Sequence, residues 1–380
     1  MRFLHTSDWH LGRIFHGLHM TDDQAILLEE LIALVKESNV DAVLIAGDIY
    51  DRAVPPTQAV TLLDEVLRRL VQEAGKNVIM IAGNHDNADR LGFGQSLLSQ
   101  NKLYITGPVS PSTQPVVLYD TYGPVYFAPL TYGEPLAASE LLRQPLKTHE
   151  DVVRWQISNQ LRQIPDTARK VALAHVFLTG AQESPDSERP LAIGGATTVG
   201  IDCFAPFNYA ALGHLHACQN GSSKVRYSGS LLKYSFNEVQ QSKGVDIVDM
   251  AADGSITVET VQLKPRRELA CLRGSFSELV SKPQPELYDC YLQVTLTDEQ
   301  PILDAKYRLE QVYPNILHLE YARLHSGNDA DTAAVNHKKL GTAELFEAFF
   351  TQVNNRQLTD SEKSLLSDII NSEVQTERQA

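Results

Sequence analysis

The stretch DAVLIAGDIYD, residues 41–51, decides the fold. Its opening DAVLIA is a nearly unbroken apolar run, as expected of a strand buried on both faces, and Gly47 and Asp48 follow at once. The same grammar recurs in VIMIAGNHD, residues 78–86, and in RFLHTSDWH, residues 2–10. Between them, residues 22–37 carry Ile26, Leu27, Leu31, Leu34 and Val35 at helical spacing. Residues 57–73 read as a second helix, closed by Gly75. A β-α-β-α-β run implies right-handed crossovers and a mainly parallel sheet. Open α/β sheets place their sites at the ends of strands, where SDWH, GDIYD and GNHD all fall.

Beyond Leu91 the chain becomes richer in strands, expected at residues 116–119, 125–128, 171–174, 209–212, 225–227, 245–248 and 256–261. A helix near residues 150–163 divides them. GVDIVDM and SITVETVQL, joined at Ala252-Asp253-Gly254, form the clearest hairpin. Two facing sheets with outer helices, a four-layer αββα arrangement of the α/β class, accommodate this pattern. Lys264-Pro265-Arg266-Arg267 interrupts it and marks a boundary. A small α+β unit then follows, with strands expected at 288–297 and 316–324 and a helix at 302–312. The expected organisation is a main domain over 1–265, a capping domain over 266–325, a polar linker over 326–341 and a helical segment over 342–380. That segment holds two helices. One presents Phe346, Phe349 and Phe350 on one face; the other opens with the capping box Thr359-Asp360-Ser361-Glu362 and carries Leu365, Leu366, Ile369 and Ile370.

The chain has 380 residues, 43% hydrophobic and 21% charged, which suits a folded globular protein with a substantial core. No apolar run approaches a membrane span, and MRFLHTSDWH has no apolar signal region, so a cytoplasmic location is expected. The four cysteines (Cys203, Cys218, Cys271, Cys290) are irregularly spaced and read as thiols. The net charge of −14 argues against a free-standing nucleic-acid binder. Two divalent cations would restore about four positive charges, and a basic partner could supply more, so charge does not settle the substrate.

Oxygen and imidazole donors fall in a fixed order along the chain. They are Asp8 and His10 in SDWH, Asp48 in GDIYD, Asn84 in GNHD, the solitary His175 after KVALA, then His214 and His216 in GHLH. Such a mixture suits a pair of borderline divalent cations and not a closed thiolate site. Metals roughly 3.5–4 Å apart are a standard device for in-line attack on phosphorus. Asp8 and His10, like His214 and His216, are spaced i, i+2 and face one way in extended chain. Asp48 is the expected bridge, because a carboxylate offers two oxygens. His85 lies where it could reach the leaving-group side of a phosphate. Asp51 could accept a hydrogen bond from His85, or be a solvated loop acid. His5, His16, His19 and His149 have no such support, and His5 is expected to pack beneath the sheet.

DxH, GDxxD, GNHD, a later His and GHxH, in this order over about residues 1–261, resemble the calcineurin-like metallophosphoesterase family. The resemblance implies the four-layer metallophosphoesterase sandwich. It puts Asp8, His10, Asp48 and His216 on one metal and Asp48, Asn84, His175 and His214 on the other. It makes His85 the acid or phosphate-contacting residue, pairs Asp51 with it, and gives Arg52 a phosphate contact. A finer resemblance is to the DNA-repair nuclease subunits of the family, through MRFLHTSDWHLGR, GDIYDRAVPP, IAGNHDNADRL, ALGHLHACQ and RYSGSLLKYSFNE. It implies a DNA exonuclease and hairpin-opening endonuclease with two Mn²⁺ ions, although Fe²⁺ or Zn²⁺ would suit the donors too. It further implies a coiled-coil ATPase as partner, gripped by the C-terminal helices. A homodimer would form through residues 57–73 and 88–99. No Walker A sequence occurs in the chain, so ATP dependence would belong to the partner. The rival readings are a phosphatase of the same fold and a catalytically silent scaffold for an ATPase.

Overall fold

The computed structural model describes residues 1–184, 197–322, 350, 358–359 and 362–363. The chain divides into two compact units, Met1–Tyr321 and Ala322–Ala380. In the first, two six-stranded sheets lie face to face. The first sheet runs in the order Ile256–Gln262, Gly244–Met250, Arg2–Thr6, Ala42–Ala46, Asn77–Ile81, Leu103–Thr106. Arg2–Thr6 and the strands after it are parallel, and the hairpin Gly244–Met250/Ile256–Gln262 adds antiparallel to their edge. The second sheet runs Gln219–Asn220, Val225–Tyr227, Tyr209–Gly213, Arg169–His175, Gly123–Leu130, Val116–Asp120, parallel through its centre.

Strand periodicity divides the core into layers. Leu4, Val43, Ile45, Val78 and Met80 face outward beneath Leu27, Leu31, Leu63 and Leu70 of the first two helical stretches. Their strand neighbours Phe3, Leu44, Ile79 and Ile81 face inward against Phe127, Val171, Leu173 and Tyr209 of the second sheet. Ala172, Ala174, Ala210 and Leu212 pack outward against Val153 and Ile157 of the helix His149–Leu161. Both faces of the central strands are thus buried, which is why DAVLIA and KVALA read as continuous apolar runs. Each such Leu, Ile or Phe contributes about 1.5–3 kcal/mol by burial. His5 also lies in the inner layer. Its Nε2 donates to the Leu212 carbonyl at 3.1 Å, leaving Nδ1 to accept from the Tyr209 hydroxyl at 3.0 Å, so it joins the two sheets.

The expected helix over 57–73 is α-helical over Thr57–Arg68 and widens to a π-turn over Arg69–Glu73, with Gly75 at φ +69 beyond it. Residues 88–99 are two short helices, Ala88–Leu91 and Gln95–Leu98, separated at Gly94 with φ +73. The strand Leu103–Thr106, the helix Pro135–Leu142 and the strand Leu269–Gly274 were not expected. The last of these changes the small unit. Leu269–Gly274, Tyr291–Leu296 and Ile316–Tyr321 are all parallel, crossed over by Phe276–Ser281 and Ala305–Glu310, so the unit is α/β in detail where α+β was expected. It has its own core around Leu272, Leu292, Val294, Leu309 and Tyr313. Tyr291, at the start of the central strand of this unit, packs instead into the first helix's core, and its hydroxyl bonds the buried Asp23 carboxylate at 2.9 Å.

The linker and most of the two C-terminal helices lie outside the described residues. Within Ala322–Ala380, the Thr359 N–H donates to the Glu362 carboxylate at 2.8 Å, as the capping box requires. No helix among the described residues is long and apolar enough to cross a membrane.

Candidate metal centre

The donors converge where the strand ends of the two sheets meet. Asp8, His10, Asp48 and Asn84 come from loops after first-sheet strands. His175 ends Arg169–His175, and His214 and His216 follow Tyr209–Gly213, in the second sheet. All of them except Asn84 are buried to within 2% of complete. The loops after Arg2–Thr6 and Ala42–Ala46 run together: Asp8 N donates to the Gly47 carbonyl at 3.1 Å and His10 N to that of Asp48 at 3.0 Å. Asp8, His10, Asp48 and His214 have φ of +52, +45, +49 and +106. Such backbone is uncommon outside glycine and clusters at functional sites, where the surroundings hold it.

Asp48 sits centrally. Its Oδ1 is 3.4 Å from His175 Nε2, and its Oδ2 is 3.6 Å from His10 Nε2 and 4.0 Å from His85 Nε2. The two oxygens therefore face different imidazoles, the disposition a bridging carboxylate needs. Asn84 Oδ1 lies 2.9 Å from His175 Nε2 and 3.2 Å from His214 Nδ1, so its neutral oxygen points into the cluster. His10 Nε2 and His216 Nε2 are 3.0 Å apart. Single ligand atoms of Asp8, His10 and His216 lie within 4.8 Å of one another, as do those of Asp8, Asp48 and His175. His10 Nδ1 and His214 Nε2 are buried with no hydrogen-bond partner.

The electrostatics follow from this crowding. Burial, with Asp48 adding to it, pushes the Asp8 carboxyl up to about 6. Burial acts against ionised Asp48 also, but facing imidazoles, His175 foremost, hold it well below the ordinary range. Burial disfavours a charged His175, yet the Asp48 carboxylate outweighs it and raises the ring to about 9. His175 Nδ1 donates to the Ala46 carbonyl at 2.9 Å, so its Nε2 is the nitrogen turned to the cluster. Burial drives His10 and His214 well below their usual value, to neutral rings with lone pairs. Neutral imidazoles and buried carboxylates brought together in this way form a donor set that fits divalent cations.

The expected neighbours of the cluster are arranged less simply. His85 is there: its ring stands 4.7 Å from that of His10, edge to face, and is 11% exposed. It is held by Asp51, but by the main-chain carbonyl, which accepts from Nδ1 at 2.7 Å. The Asp51 carboxylate instead takes Arg13 at 2.9 Å and stands 3.8 Å from His10 Nδ1. Arg52 is exposed. The arginine brought close to the cluster is Arg13, which also lies over the Tyr234 ring. The His16 ring lies tilted against that of His318, 4.9 Å away, and His149 stacks with Tyr132. Cys218 is half-buried and joins none of the metal-capable groups among the described residues.

Several supporting residues escaped sequence reasoning. Asp86, last in GNHD, accepts from Gly83 N, Ile49 N and Tyr50 N at 2.9–3.1 Å and so ties GNHD to GDIYD. Gln24, buried in the first helix, donates to the Trp9 and His10 carbonyls at 3.1 and 2.8 Å and fixes SDWH. Glu238 accepts from His216 Nδ1 at 3.1 Å. Its motif, SFNE, was visible; its burial was not.

A family model for calcineurin-like phosphoesterase matches residues 1–218, more than half of the chain. The chain belongs to that family. Beyond the match to the phosphoesterase model, a second model, for the SbcD-type C-terminal domain described as type 5 capsule protein repressor C-terminal domain, matches residues 265–354. Among solved structures the phosphoesterase is similar to TT1561 of Thermus thermophilus, at 14% identity over 69% of this chain and 98% of that one, TM-score 0.40. It is similar to a dimetal phosphatase from Danio rerio, at 12% identity over 69% and 96%, TM-score 0.39. The Plasmodium inner-membrane-complex anchor GAP50 matches at 13% identity over 84% and 96%, TM-score 0.38.

Proposed function

We propose that this phosphoesterase is an SbcD-like nuclease subunit: a dinuclear-metal DNA phosphodiesterase acting in repair, recombination and replication. The observation that carries the reading is the succession of matches, calcineurin-like phosphoesterase over 1–218 and then the SbcD-type C-terminal domain over 265–354. The proposed activities are ATP-dependent double-strand exonuclease and single-strand or hairpin endonuclease. The proposed partner is an SbcC-like coiled-coil ATPase, bound through residues 342–380, with two copies of each chain in the complex. Residues 1–265 are the proposed nuclease domain and 266–325 its cap, joined by a linker over 326–341 to the partner-binding segment.

Asp8, His10, Asp48 and His216 would hold one cation, and Asp48, Asn84, His175 and His214 the other, with Mn²⁺ the proposed metal. When bound, the cations supply Lewis acidity and an activated water for in-line attack on phosphorus. His85 supplies the proton. Its Nδ1 is committed to the Asp51 carbonyl, so Nε2 is the atom facing the cluster, and it is the doubly protonated ring that would donate from Nε2 to the departing oxygen. Asp51 acts here through its main chain, and Arg13 or the exposed Arg52 would meet a flanking phosphate.

The test is to incubate purified protein with Mn²⁺ and labelled single-stranded or hairpin DNA, beside a His85→Ala variant. Wild type should cleave, and the variant should be slower by about 10²–10⁴-fold. The net charge of −14 favours the phosphatase alternative. Intact DNA together with hydrolysis of a chromogenic phosphomonoester would establish it. Inactivity on both, with metal bound and the ATPase present, would leave the scaffold.

A further inference from the structure

We infer that Glu238 is a positioning residue for His216, holding its ring so that Nε2 is presented to a divalent cation. Glu238 ends the short 3-10 turn Phe236–Glu238, fully buried and opened by the Ser235 side chain, which accepts from Asn237 N. One carboxylate oxygen lies 3.1 Å from His216 Nδ1. The other lies 2.6 Å from Lys243 Nζ and accepts from Tyr234 N at 3.3 Å. Lys243 Nζ in turn donates to the His216 carbonyl at 2.7 Å. Lysine and glutamate thus hold the histidine at both its main chain and its ring.

A buried carboxylate is costly unless paired, and Lys243 meets that need. The pair alone does not account for the second oxygen being spent on an imidazole of the cluster. A carboxylate only accepts, so Nδ1 of His216 must carry the proton, and the lone pair is left on Nε2. Nε2 faces His10 Nε2 and shares the Asp8–His10–His216 donor group. The other rings are supported differently: His175 Nδ1 rests on a main-chain carbonyl, and His10 Nδ1 has only the Asp51 carboxylate, 3.8 Å away. A carboxylate makes an imidazole a stronger donor than a carbonyl does, and removing such a support typically weakens metal binding 10–100-fold. Glu238 therefore strengthens the site that His216 helps to form.

The inference rests on the two-metal reading, and the experiment separates them. Metal-free wild type, Glu238→Gln and the double variant Glu238→Gln/Lys243→Met, which strands neither charge, are titrated with Mn²⁺ by calorimetry. Wild type should bind two ions. Both variants should lose about 10–100-fold in affinity at one site and keep the other. A second readout is ¹⁵N NMR of the Zn²⁺-loaded wild type, where the His216 Nδ1 proton should be present and shifted downfield. Wild-type affinity at both sites in a folded variant overturns the role of Glu238 alone, as does a lowered melting temperature with unchanged metal binding. Wild type that binds no divalent metal overturns both readings. Should the variants not fold, a His216 without an Nδ1 proton in the wild type overturns the inference.

Discussion

At the scale of single residues, close approach governs the site. The φ of Gly83 is not in the left-handed region; what this glycine supplies is room. A Cβ there would stand 2.1 Å from Asp48 Oδ1 and 2.3 Å from Asp48 N. Gly83→Ala must displace the Asp48 carboxylate or its loop. It should cost roughly 1–3 kcal/mol by overpacking and empty the metal site, read by denaturant midpoint and metal content. Wild-type metal content in this variant would contradict the close approach. His5 shows how one buried ring couples stability to pH. Burial lowers it to about 4 from the usual 6.5, although Asp246 acts the other way. The unfolded chain takes up the proton first, so the contribution is complete above pH 6.5 and is lost as pH falls toward 4. The loss is on the order of 3 kcal/mol. An NMR titration of the His5 ring should have its midpoint near 4, and a midpoint near 6.5 would remove this account.

At the scale of elements, the loops are organised by what ties them together. Asp86 Oδ2 takes Ile49 N and Gly83 N while Oδ1 takes Tyr50 N, so one side chain joins the loops after two neighbouring strands. An amide offers only one acceptor oxygen. Asp86→Asn should therefore lose about 1–3 kcal/mol and speed amide exchange at Tyr50 or at Ile49 and Gly83. Unchanged exchange at all three would show that the loops hold without it. The strands behind these loops were legible because burial on both faces leaves an apolar run, and the motifs at their ends because Gly, Asp, Asn and His stand together there. Leu103–Thr106 was not legible, being a short edge strand with a half-exposed burial pattern. Leu269–Gly274 hid because LACLRG mixes an exposed Arg with buried leucines. Asp51 was placed by spacing, yet spacing cannot tell a side-chain acceptor from a main-chain one, and the carbonyl proved to be the partner of His85. Glu238 lies 22 residues from His216 in sequence, so only the fold brings them together.

At the scale of the whole molecule, the donor set is divided between the two sheets. Asp8, His10, Asp48 and Asn84 belong to the first, and His175, His214 and His216 to the second. Neither sheet alone assembles a site, so cations bound there would bridge the layers across the inner core, beside the His5–Tyr209 bond already joining them. Unfolding must separate donors that only the packed sandwich brings together. Metal that binds the folded form and not the unfolded one stabilises it by about 4 kcal/mol at a thousandfold excess over its dissociation constant. Removal of metal by chelator should lower the melting temperature of Met1–Tyr321 by several degrees, and Mn²⁺ should restore it. The variants divide sharply on this measure. Asp48→Asn, which weakens the central carboxylate facing both donor groups, should lose most of the metal-dependent rise. His85→Ala should keep it in full while losing cleavage if, as proposed, its ring supplies the proton and is not a ligand, although its ligand atoms also group with those of His10 and Asp51. A His85→Ala protein that no longer responds to Mn²⁺ would move His85 into the ligand set. An Asp48→Asn protein that responds like wild type would mean that the cations do not lie between the sheets.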